Sequence, residues 1–323
     1  MIVTVTMNPA IDKTVEIERL LPGSLNRITR VEYDAGGKGI NVSKTIRALG
    51  GESVAVGFLG GSAGKTIETV LTKEGICHDF VRVEGETRTN TKVFEKNGAV
   101  TELNEPGPVV SREHQELLME KLAGYAGGET LFVLSGSVPA CMDKGIYARI
   151  IRMGHEKGAK VLLDADGELF ANAVRQRPEL VKPNVQELME YAGLAKTCSR
   201  KEVLAAARSI RKSGVERAVV SMGAEGALFL FGDCGIFSPA LPVKAHSTVG
   251  AGDAMAAALA YGFTRKLDAK RQMRLCMAAA AGAVTTVGTK PPGRELVGEL
   301  MRKVVLEKME EESLDGSGNV GEN

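Results

Sequence analysis

The sequence has little excess charge and no long apolar run. Its 41 Lys and Arg residues nearly balance 40 Asp and Glu residues, so the formal net charge is +1. The basic residues are spread along the chain, without the clusters that create a nucleic-acid-binding surface. No segment approaches the roughly 18 consecutive apolar residues that would span a bilayer. We therefore expect small metabolites as partners, and neither nucleic acid nor a membrane.

The cysteines do not form a metal-binding pattern. The sequence has no Cys-x-x-Cys pair and no His at ligand spacing from a cysteine, and such spacing is the main sequence signal of structural zinc. After Met1 the chain continues directly into the strand-like Ile-Val-Thr-Val-Thr, without a charged leader before an apolar core. We therefore expect a cytoplasmic protein with reduced thiols. The five cysteines are Cys77, Cys141, Cys198, Cys234 and Cys276.

The chain alternates between two kinds of periodicity. Its 323 residues, 44% of them hydrophobic, suffice for one large α/β domain with an elaboration, or for two domains. The patterns predict strands at 2–6, 53–58, 130–134, 160–164 and 218–221, and helices at 41–49, 65–74, 112–123, 144–156, 200–213 and 271–287. This alternation indicates βαβ units around a mostly parallel sheet. In such sheets ligands bind beyond the carboxyl ends of the strands.

Two segments interrupt the alternation. Residues 13–33 and 86–106 contain short alternating runs with a turn at Lys96-Asn97-Gly98, a pattern typical of antiparallel hairpins. We interpret them as one small β-sheet lid that excludes water from a site beneath it; purely structural hairpins are the alternative. The lid and the large sheet would form one domain over residues 1–308. Residues 309–323 contain almost no apolar side chains, which predicts a disordered tail.

The most informative segment is Ser247-Thr248-Val249-Gly250-Ala251-Gly252-Asp253, which leads into an apolar helical stretch. Glycines at a helix start let a phosphate approach the free backbone N–H groups and the positive end of the helix dipole. A carboxylate would repel that anion unless it had its own task, and orienting an acceptor hydroxyl while taking its proton is such a task. The segment therefore predicts phosphoryl transfer with Asp253 as the base. The alternative is that Asp253 caps the helix.

A second glycine-rich turn precedes the helix predicted at 65–74. Residues 60–66 read Gly-Gly-Ser-Ala-Gly-Lys-Thr, and they end as a P-loop does. The P-loop requires four residues between its glycines so that the backbone can wrap a phosphate while Lys reaches the terminal group. This segment is one residue too short. A P-loop NTPase that depends on Lys65 is therefore a weaker alternative.

Further polar side chains suit a phosphorylated sugar. A third glycine-rich turn carries Gly37, Lys38 and Asn41, which offer space, a cation and an amide; a solvated turn is the alternative. Arg88 and Asn90 on the proposed lid offer a second cation and amide, and the guanidinium group is well matched to phosphate oxygens. Exposed hairpin residues without a ligand are the alternative reading of this pair.

Asn184 and Glu187 are candidate magnesium ligands. They lie three residues apart at a predicted helix start and so share a face. Mg²⁺ keeps several waters and takes few protein oxygens, so the pair could support it through water. The same spacing is that of a capping box, with Asn as the cap and Glu at the third position.

Together these segments resemble the PfkB, or ribokinase-like, carbohydrate kinases over residues 1–300. The resemblance implies a three-layer α/β/α sandwich with a mostly parallel central sheet and a small β-sheet lid. The motifs, in family order, are Asn-Pro-Ala-Ile-Asp at 8–12, Gly-Gly-Lys-Gly-Ile-Asn-Val at 36–42, Thr-Arg-Thr-Asn-Thr-Lys at 87–92, Ser-Gly-Ser-Val-Pro at 135–139, Lys-Pro-Asn-x-x-Glu at 182–187, Ser-Met-Gly-Ala-Glu-Gly at 221–226 and Ser-Thr-Val-Gly-Ala-Gly-Asp at 247–253.

The resemblance also implies a role for each matching residue. Asp253 would be the catalytic base, with the amides of Gly250, Ala251 and Gly252 as the anion hole. The sugar phosphate would contact Asp12, Gly37, Lys38, Asn41, Arg88, Asn90 and Ser137. The nucleotide would contact Lys182, Asn184, Ser221, Gly223, Gly226, Thr248 and Val249. Mg²⁺ would lie near Asn184 and Glu187, through water.

The implied activity is ATP-dependent phosphorylation of fructose 1-phosphate at its C6 hydroxyl. Tagatose 6-phosphate kinase is the nearest alternative, followed by another phosphosugar kinase of the family such as 6-phosphofructokinase. A sugar phosphate sensor without catalysis is a more distant one. The family fold is often shared across a dimer, so a homodimer formed through the lid is also expected.

Overall fold

The computed structural model describes residues 1–194, 199–286 and 288–309. The strands are β1 (Ile2–Thr6), β2 (Ala10–Ile17), β3 (Arg30–Gly36), β4 (Val54–Leu59), β5 (Cys77–His78), β6 (Val81–Arg82), β7 (Arg88–Glu95), β8 (Val100–Asn104), β9 (Leu131–Ser135), β10 (Lys160–Asp164), β11 (Leu180–Val181), β12 (Arg217–Ser221), β13 (Gly226–Phe231), β14 (Gly235–Pro239) and β15 (Glu307–Lys308). The helices are α1 (Lys38–Ala48), α2 (Gly61–Lys73), α3 (Arg112–Tyr125), α4 (Ile146–Glu156), α5 (Gly167–Val174), α6 (Val185–Ala192), α7 (Arg200–Lys212), α8 (Ala251–Thr264), α9 (Ala269–Ala283) and α10 (Arg294–Lys303).

The large sheet has the order β15-β14-β13-β12-β11-β10-β9-β1-β4-β5, and β6 also pairs with β4. The strands from β4 through β12 in this order are parallel, because long crossovers separate them along the chain. At one edge, β13, β14 and β15 are antiparallel. The parallel part confirms the prediction. The antiparallel edge was not predicted, since Gly-Ala-Leu-Phe-Leu-Phe in β13 is a continuous apolar run without strand-like alternation.

Helices cover both faces of the large sheet. On one face α1, α8, α9 and α10 bury an apolar cluster against strand residues such as Val133, Leu162 and Val219. On the other face α3, α4, α5, α6 and α7 bury a second cluster against residues such as Phe132 and Val161. Neighbouring residues along a strand point to opposite faces, so each buried strand must be apolar on both. The three-layer α/β/α arrangement expected from the sequence is confirmed.

The small sheet has the order β3-β2-β7-β8. β2–β3 and β7–β8 are antiparallel pairs, and β2 and β7 join them in parallel. The predicted turn at 96–98 closes the second hairpin, where Gly98 has φ of 89° and its N–H donates to Glu95 O. The sheet extends beyond the predicted segments, since β2 begins at Ala10 and β3 ends at Gly36. We call this sheet the lid.

The last described residue belongs to the folded part of the chain. Met309 N donates to Gly235 O at 2.9 Å, and the side chain packs against the core. The rest of the tail predicted at 309–323 lies outside the described residues, as does Cys198. Within the described ranges, we find no helix with the length and apolarity required to cross a bilayer.

Candidate active site

The glycine turn opens a helix, as predicted. Gly250 is the N-cap of α8, with a φ of 85° in the left-handed region, and Asp253 lies in the first helical turn. The Asp253 carboxylate is buried, and its Oδ2 accepts a hydrogen bond from Asn41 Nδ2 at 2.8 Å. The side chain therefore faces α1, and Gly250 occupies the position that the capping alternative would give to Asp253.

The environment of Asp253 favours its protonated form. Burial raises the pKa of this carboxyl to about 6, and the negative charge of Asp164 adds to the effect. The hydrogen bond from Asn41 and the charges of Lys38 and Lys182 oppose the rise in pKa. A general base is most effective when its pKa lies near the working pH. The raised pKa of Asp253 therefore suits a general base.

This pKa predicts the pH dependence of turnover. Only the ionised carboxylate can take a proton, so kcat is expected to fall about tenfold per pH unit below about pH 6 and to stay level above it. The measurement is kcat at saturating substrates from pH 5 to 8. An acid limb centred near pH 4 would contradict the buried environment of Asp253.

Two ammonium groups and a buried carboxylate lie beside Asp253. Asp164, at the carboxyl end of β10, has Lys182 Nζ 3.1 Å and Lys38 Nζ 3.9 Å from its Oδ1. The charge of Asp164 raises the pKa of Lys38, so this lysine stays charged. A Cβ added at Gly252 would lie 3.5 Å from Lys182 Nζ. The cations therefore flank the start of α8, where an anion would bind.

The lid is joined directly to this region. β3 ends at Gly36, and α1 begins only two residues later, at Lys38. Gly37 between them has a φ of 109°, and a Cβ there would meet Thr6 Cγ2 at 2.8 Å. The turn therefore requires glycine for both its conformation and its packing. It leads into the first turn of α1, from which Asn41 donates its hydrogen bond to Asp253.

Acidic and basic side chains of the lid pair with each other. Asp12 is buried, and Lys92 Nζ lies 3.4 Å from its Oδ2. Burial raises the pKa of Asp12, although Lys92 and a hydrogen bond from Asn90 oppose that rise. A Cβ at Gly36 would lie 2.3 Å from Asp12 Oδ2, so glycine leaves room for this carboxylate. Asp12 and Asn90 are thus brought together, as predicted.

Arg88 lies at the start of β7, where it holds the lid to the chain on either side. Its Nη2 donates to Asn8 O at 3.0 Å, and its Nη1 donates to Glu105 O at 3.1 Å. Burial lowers the pKa of Arg88. Ser137 lies two residues beyond the end of β9 and is exposed. Of these two residues predicted to contact the sugar phosphate, Arg88 therefore lies in the lid and Ser137 lies at the carboxyl edge of the large sheet.

A cavity of about 500 Å³ lies on the other side of the start of α8. Five predicted nucleotide residues line it, together with Ala251 and Gly252 of the glycine turn and apolar side chains such as Met255 and Met277. The lining does not include Lys182 or Val249, which were predicted for the same ligand; Lys182 pairs with Asp164 instead. The five are Asn184, Ser221, Gly223, Gly226 and Thr248.

Asn184 and Glu187 form the capping box of α6. Glu187 N donates to Asn184 Oδ1, and Asn184 N donates to Glu187 Oε2, each at 2.8 Å. The capping alternative is therefore confirmed. Burial raises the pKa of the Glu187 carboxyl. Across the described ranges, no three His, Cys, Asp or Glu side chains are grouped as metal ligands, so any metal here would depend on few protein oxygens.

A carboxylate of the protein itself already occupies the P-loop-like turn at 60–66. The Glu86 carboxylate accepts hydrogen bonds from Ser62 N at 3.0 Å and Ala63 N at 3.2 Å, at the start of α2. These backbone hydrogen bonds lower the pKa of Glu86, which favours its charged form. A phosphate would have to displace this carboxylate. The geometry therefore argues against phosphate binding at 60–66.

Lys65→Ala is expected to leave kcat and the KM for ATP within about twofold of the wild type. Lys65 is exposed, and exposed substitutions away from a site have small effects. Steady-state kinetics with purified variant and wild type make the measurement. A large loss of kcat would instead support the P-loop alternative.

Three side chains of this region were not predicted as site residues: Asp164, Lys92 and Glu86. Asp164 had a usable signal, because it ends a predicted buried strand, where α/β proteins place ligands. Lys92 stands in the quoted lid motif, but only the pairing of β2 with β7 brings it to Asp12. Glu86 has no local signal, since its partners lie 23 and 24 residues earlier in the chain.

Comparison with known proteins agrees with this arrangement. The model of the pfkB family of carbohydrate kinases matches residues 2–295. The chain is 38% identical to the 1-phosphofructokinase of Borreliella burgdorferi, covering 81% of this chain and 85% of that protein. It is 34% identical to that of Bacillus subtilis, covering 96% and 100%, and 34% identical to the D-tagatose-1-phosphate kinase of Bacillus licheniformis, covering 88% and 92%.

Among solved structures, phosphofructokinase-2 of Escherichia coli superposes with a TM-score of 0.89 at 28% identity, covering 94% of this chain and 98% of that one. Fold and site thus define a ribokinase-like carbohydrate kinase that uses ATP as phosphoryl donor. The chain belongs to the pfkB family of carbohydrate kinases.

Proposed function

We propose that this protein phosphorylates fructose 1-phosphate at its C6 hydroxyl, with ATP as the donor and fructose 1,6-bisphosphate as the product. The buried Asp253 carboxylate at the glycine-lined start of α8 is the observation that supports this proposal most directly. The names of the curated relatives indicate a ketose 1-phosphate as the acceptor. The lid motif containing Asn90 and Lys92 resembles that of the fructose 1-phosphate kinases, which favours fructose 1-phosphate over a tagatose phosphate.

In the proposed reaction Asp253 accepts the proton of the C6 hydroxyl while the oxygen attacks the terminal phosphoryl group. The bond between that phosphorus and the bridging oxygen of ATP breaks, and ADP leaves. The backbone amides of Gly250, Ala251 and Gly252 face the charge on the transferred group, and the helix dipole adds to this stabilisation. Such groups act strongly because they are already oriented before the reaction.

The lid and α1 would hold the sugar phosphate. Asp12 is buried next to Lys92, so it can accept hydrogen bonds from sugar hydroxyls without exposing an unpaired charge. Lys38, Asn41 and Arg88 would contact the sugar or its phosphate, with Gly37, Asn90 and Ser137 beside them. Closure of the lid would exclude water, which otherwise competes with the sugar hydroxyl for the phosphoryl group.

The nucleotide would occupy the cavity beside α8. Its adenosine part would lie between Met255 and Met277, with the phosphates toward Gly252 and Thr248. Val249 and Lys182 would border the phosphates rather than the base. The donor chemistry of Asn184 and Glu187 fits Mg²⁺: their capping box uses one oxygen of each side chain, and Glu187 Oε1 can accept from a metal-bound water. Bound Mg²⁺ would neutralise phosphate charge.

A substrate panel tests the proposal. The purified protein is assayed for ADP release with ATP and fructose 1-phosphate, fructose 6-phosphate, tagatose 6-phosphate or tagatose 1-phosphate, and ³¹P NMR identifies the product. We expect the highest kcat/KM with fructose 1-phosphate. A higher value with a tagatose phosphate or with fructose 6-phosphate would reassign the substrate. Absence of sugar-dependent ADP release would favour a sensor.

We also propose that the lid forms a homodimer interface and that residues 1–308 act as one domain. Tyr33 and Leu103 are 62% and 60% exposed, and their pairings with Lys13 and Thr91 place them on one face of the lid. Exposed apolar patches of this kind mark interfaces. The opposite face carries Asp12. The cytoplasmic location stays a prediction.

Leu103→Glu is expected to shift the protein from dimer to monomer, because a charge in an apolar interface lacks a partner. Sedimentation velocity of wild type and variant at equal concentration makes the measurement. Leu25→Glu changes a more exposed leucine, in the loop between β2 and β3, and it tests how far the interface extends. A monomeric wild type at micromolar concentration would contradict the dimer.

A further inference from the structure

Among the described residues, the buried negative charge of Asp164 is balanced by lysine charges rather than by hydrogen bonds. Its side chain is 2% exposed, with Lys182 Nζ and Lys38 Nζ at 3.1 and 3.9 Å from Oδ1. Within the described part of the chain, neither of its oxygens has a partner in hydrogen-bond geometry. A buried carboxylate without compensation would be strongly destabilising. The two lysines therefore hold Asp164 in place, and Asp164 holds them.

Asp164 belongs to a polar row across three neighbouring strands. Ser135 of β9 pairs with Asp164, and Thr6 follows Val5, which pairs with Leu134 of β9. Paired residues share a face of the sheet, here the face that packs against α1 and α8. The hydroxyls of Thr6 and Ser135 are buried without a partner among the described residues. Neither hydroxyl therefore satisfies Asp164, and the lysines remain its main partners.

We propose that Asp164 is a positioning residue for phosphoryl transfer: it fixes the ammonium groups of Lys38 and Lys182 at the start of α8. This role rests on the proposed kinase activity. The ammonium group of Lys182 lies beside Gly252, so its placement there depends on the carboxylate beneath it. Without Asp164 the two cations would repel each other across the site.

Several elements contribute charge around Asp253. Asp164 on β10 raises its pKa, whereas Lys38 on α1 and Lys182 after β11 lower it. On α9, which packs against α8, Cys276 is buried, and burial raises the pKa of its thiol, so it remains neutral. The charge of Asp164 affects the pKa of Asp253 more than the charge of either lysine does, so removal of Asp164 should lower that pKa and removal of Lys38 should raise it. A purely structural role for Asp164 would not lower the pKa of Asp253.

The test compares the pH profile of kcat for wild type, Asp164→Asn and Lys38→Met with saturating fructose 1-phosphate and ATP. We expect the acid limb to move to lower pH in Asp164→Asn and to higher pH in Lys38→Met, each by about 0.5–1 pH unit, less than the 1–3 units of a contact pair. The phosphate group of the sugar also titrates near pH 6. Because its pKa is the same in every sample, it does not affect the comparison between variants. Asp164→Glu, which keeps the charge, should restore the limb.

The controls separate this role from others. Asp233→Asn removes the same charge from an exposed turn and should leave the limb in place. An unshifted limb in Asp164→Asn, or recovery of its kcat with added Mg²⁺, would overturn the role. If thermal denaturation shows that Asp164→Asn does not fold, Lys38→Met decides, since Lys38 is 38% exposed and can be replaced more easily. An unshifted limb in Lys38→Met would then show that the lysine held by Asp164 does not act on Asp253, and it would overturn the role. A wild type without turnover would instead overturn the kinase activity.

Discussion

Replacing Asp253 by Asn is expected to lower kcat by about 10²–10⁴-fold, the usual contribution of acid–base catalysis. Asn has nearly the same shape, and its Oδ1 can still accept the hydrogen bond that Asn41 donates. The amide cannot take a proton from the sugar hydroxyl. The variant should therefore adopt the same fold, and its KM for fructose 1-phosphate should change little. Steady-state kinetics of both proteins provide the measurement, and near-normal turnover would remove the proposed mechanism.

The same variant should be more stable than the wild type at pH 8. Burial raises the pKa of Asp253 to about 6, so ionising the carboxylate costs folding free energy as the pH rises from its unfolded pKa through about 6. A difference of about two pKa units corresponds to about 3 kcal/mol above that range. Asn carries no charge, so the gain in thermal midpoint should shrink as the pH is lowered below about 6.

Glu86→Gln is the matched control for Asp253→Asn. Both residues place a carboxylate at the start of a helix, but Glu86 accepts hydrogen bonds from the backbone amides of Ser62 and Ala63 and from the Ser62 hydroxyl. Its replacement should lower the thermal midpoint and leave kcat within about twofold, because a cap contributes to stability alone. A loss of kcat in both variants would show that turnover depends on general disruption of the fold.

The layers and the start of α8 were predictable because they depend on local patterns. Buried parallel strands are short apolar runs, and amphipathic helices repeat every 3.6 residues. The glycine turn before Asp253 combines backbone conformation, helix start and carboxylate within a few residues. For the same reason the turn at 96–98 was predicted correctly. Local sequence was sufficient wherever one segment carries the whole feature.

The remaining parts depend on which strands are neighbours. Asp164 meets Lys38 and Lys182 only because β10 lies between β9 and β11, and no local pattern contains that order. Lys92 reaches Asp12 through the parallel pairing of β2 with β7. The spacing of Asn184 and Glu187 was compatible with a metal site or a cap, and the structure shows the cap.

Arg88→Ala is expected to raise the KM for fructose 1-phosphate by about 10–100-fold with a smaller change in kcat. A hydrogen bond to a charged group contributes about 1.5–3 kcal/mol, and each 1.4 kcal/mol is a factor of ten in affinity. The guanidinium also donates to Asn8 O and Glu105 O. Arg88→Ala therefore loses both a cation and the contacts that fix the lid relative to the segments on either side.

Arg88→Lys separates these two contributions. Lysine keeps the positive charge but cannot make two hydrogen bonds in the fixed fork of the guanidinium group. If charge dominates, the KM of Arg88→Lys should be close to that of the wild type; if lid geometry dominates, it should approach that of Arg88→Ala. The KM for ATP serves as the internal control, since the nucleotide cavity is built from other elements. A normal KM for fructose 1-phosphate in Arg88→Ala would place the sugar phosphate elsewhere, because this variant removes the Arg88 cation and leaves Lys38 and Lys92 intact.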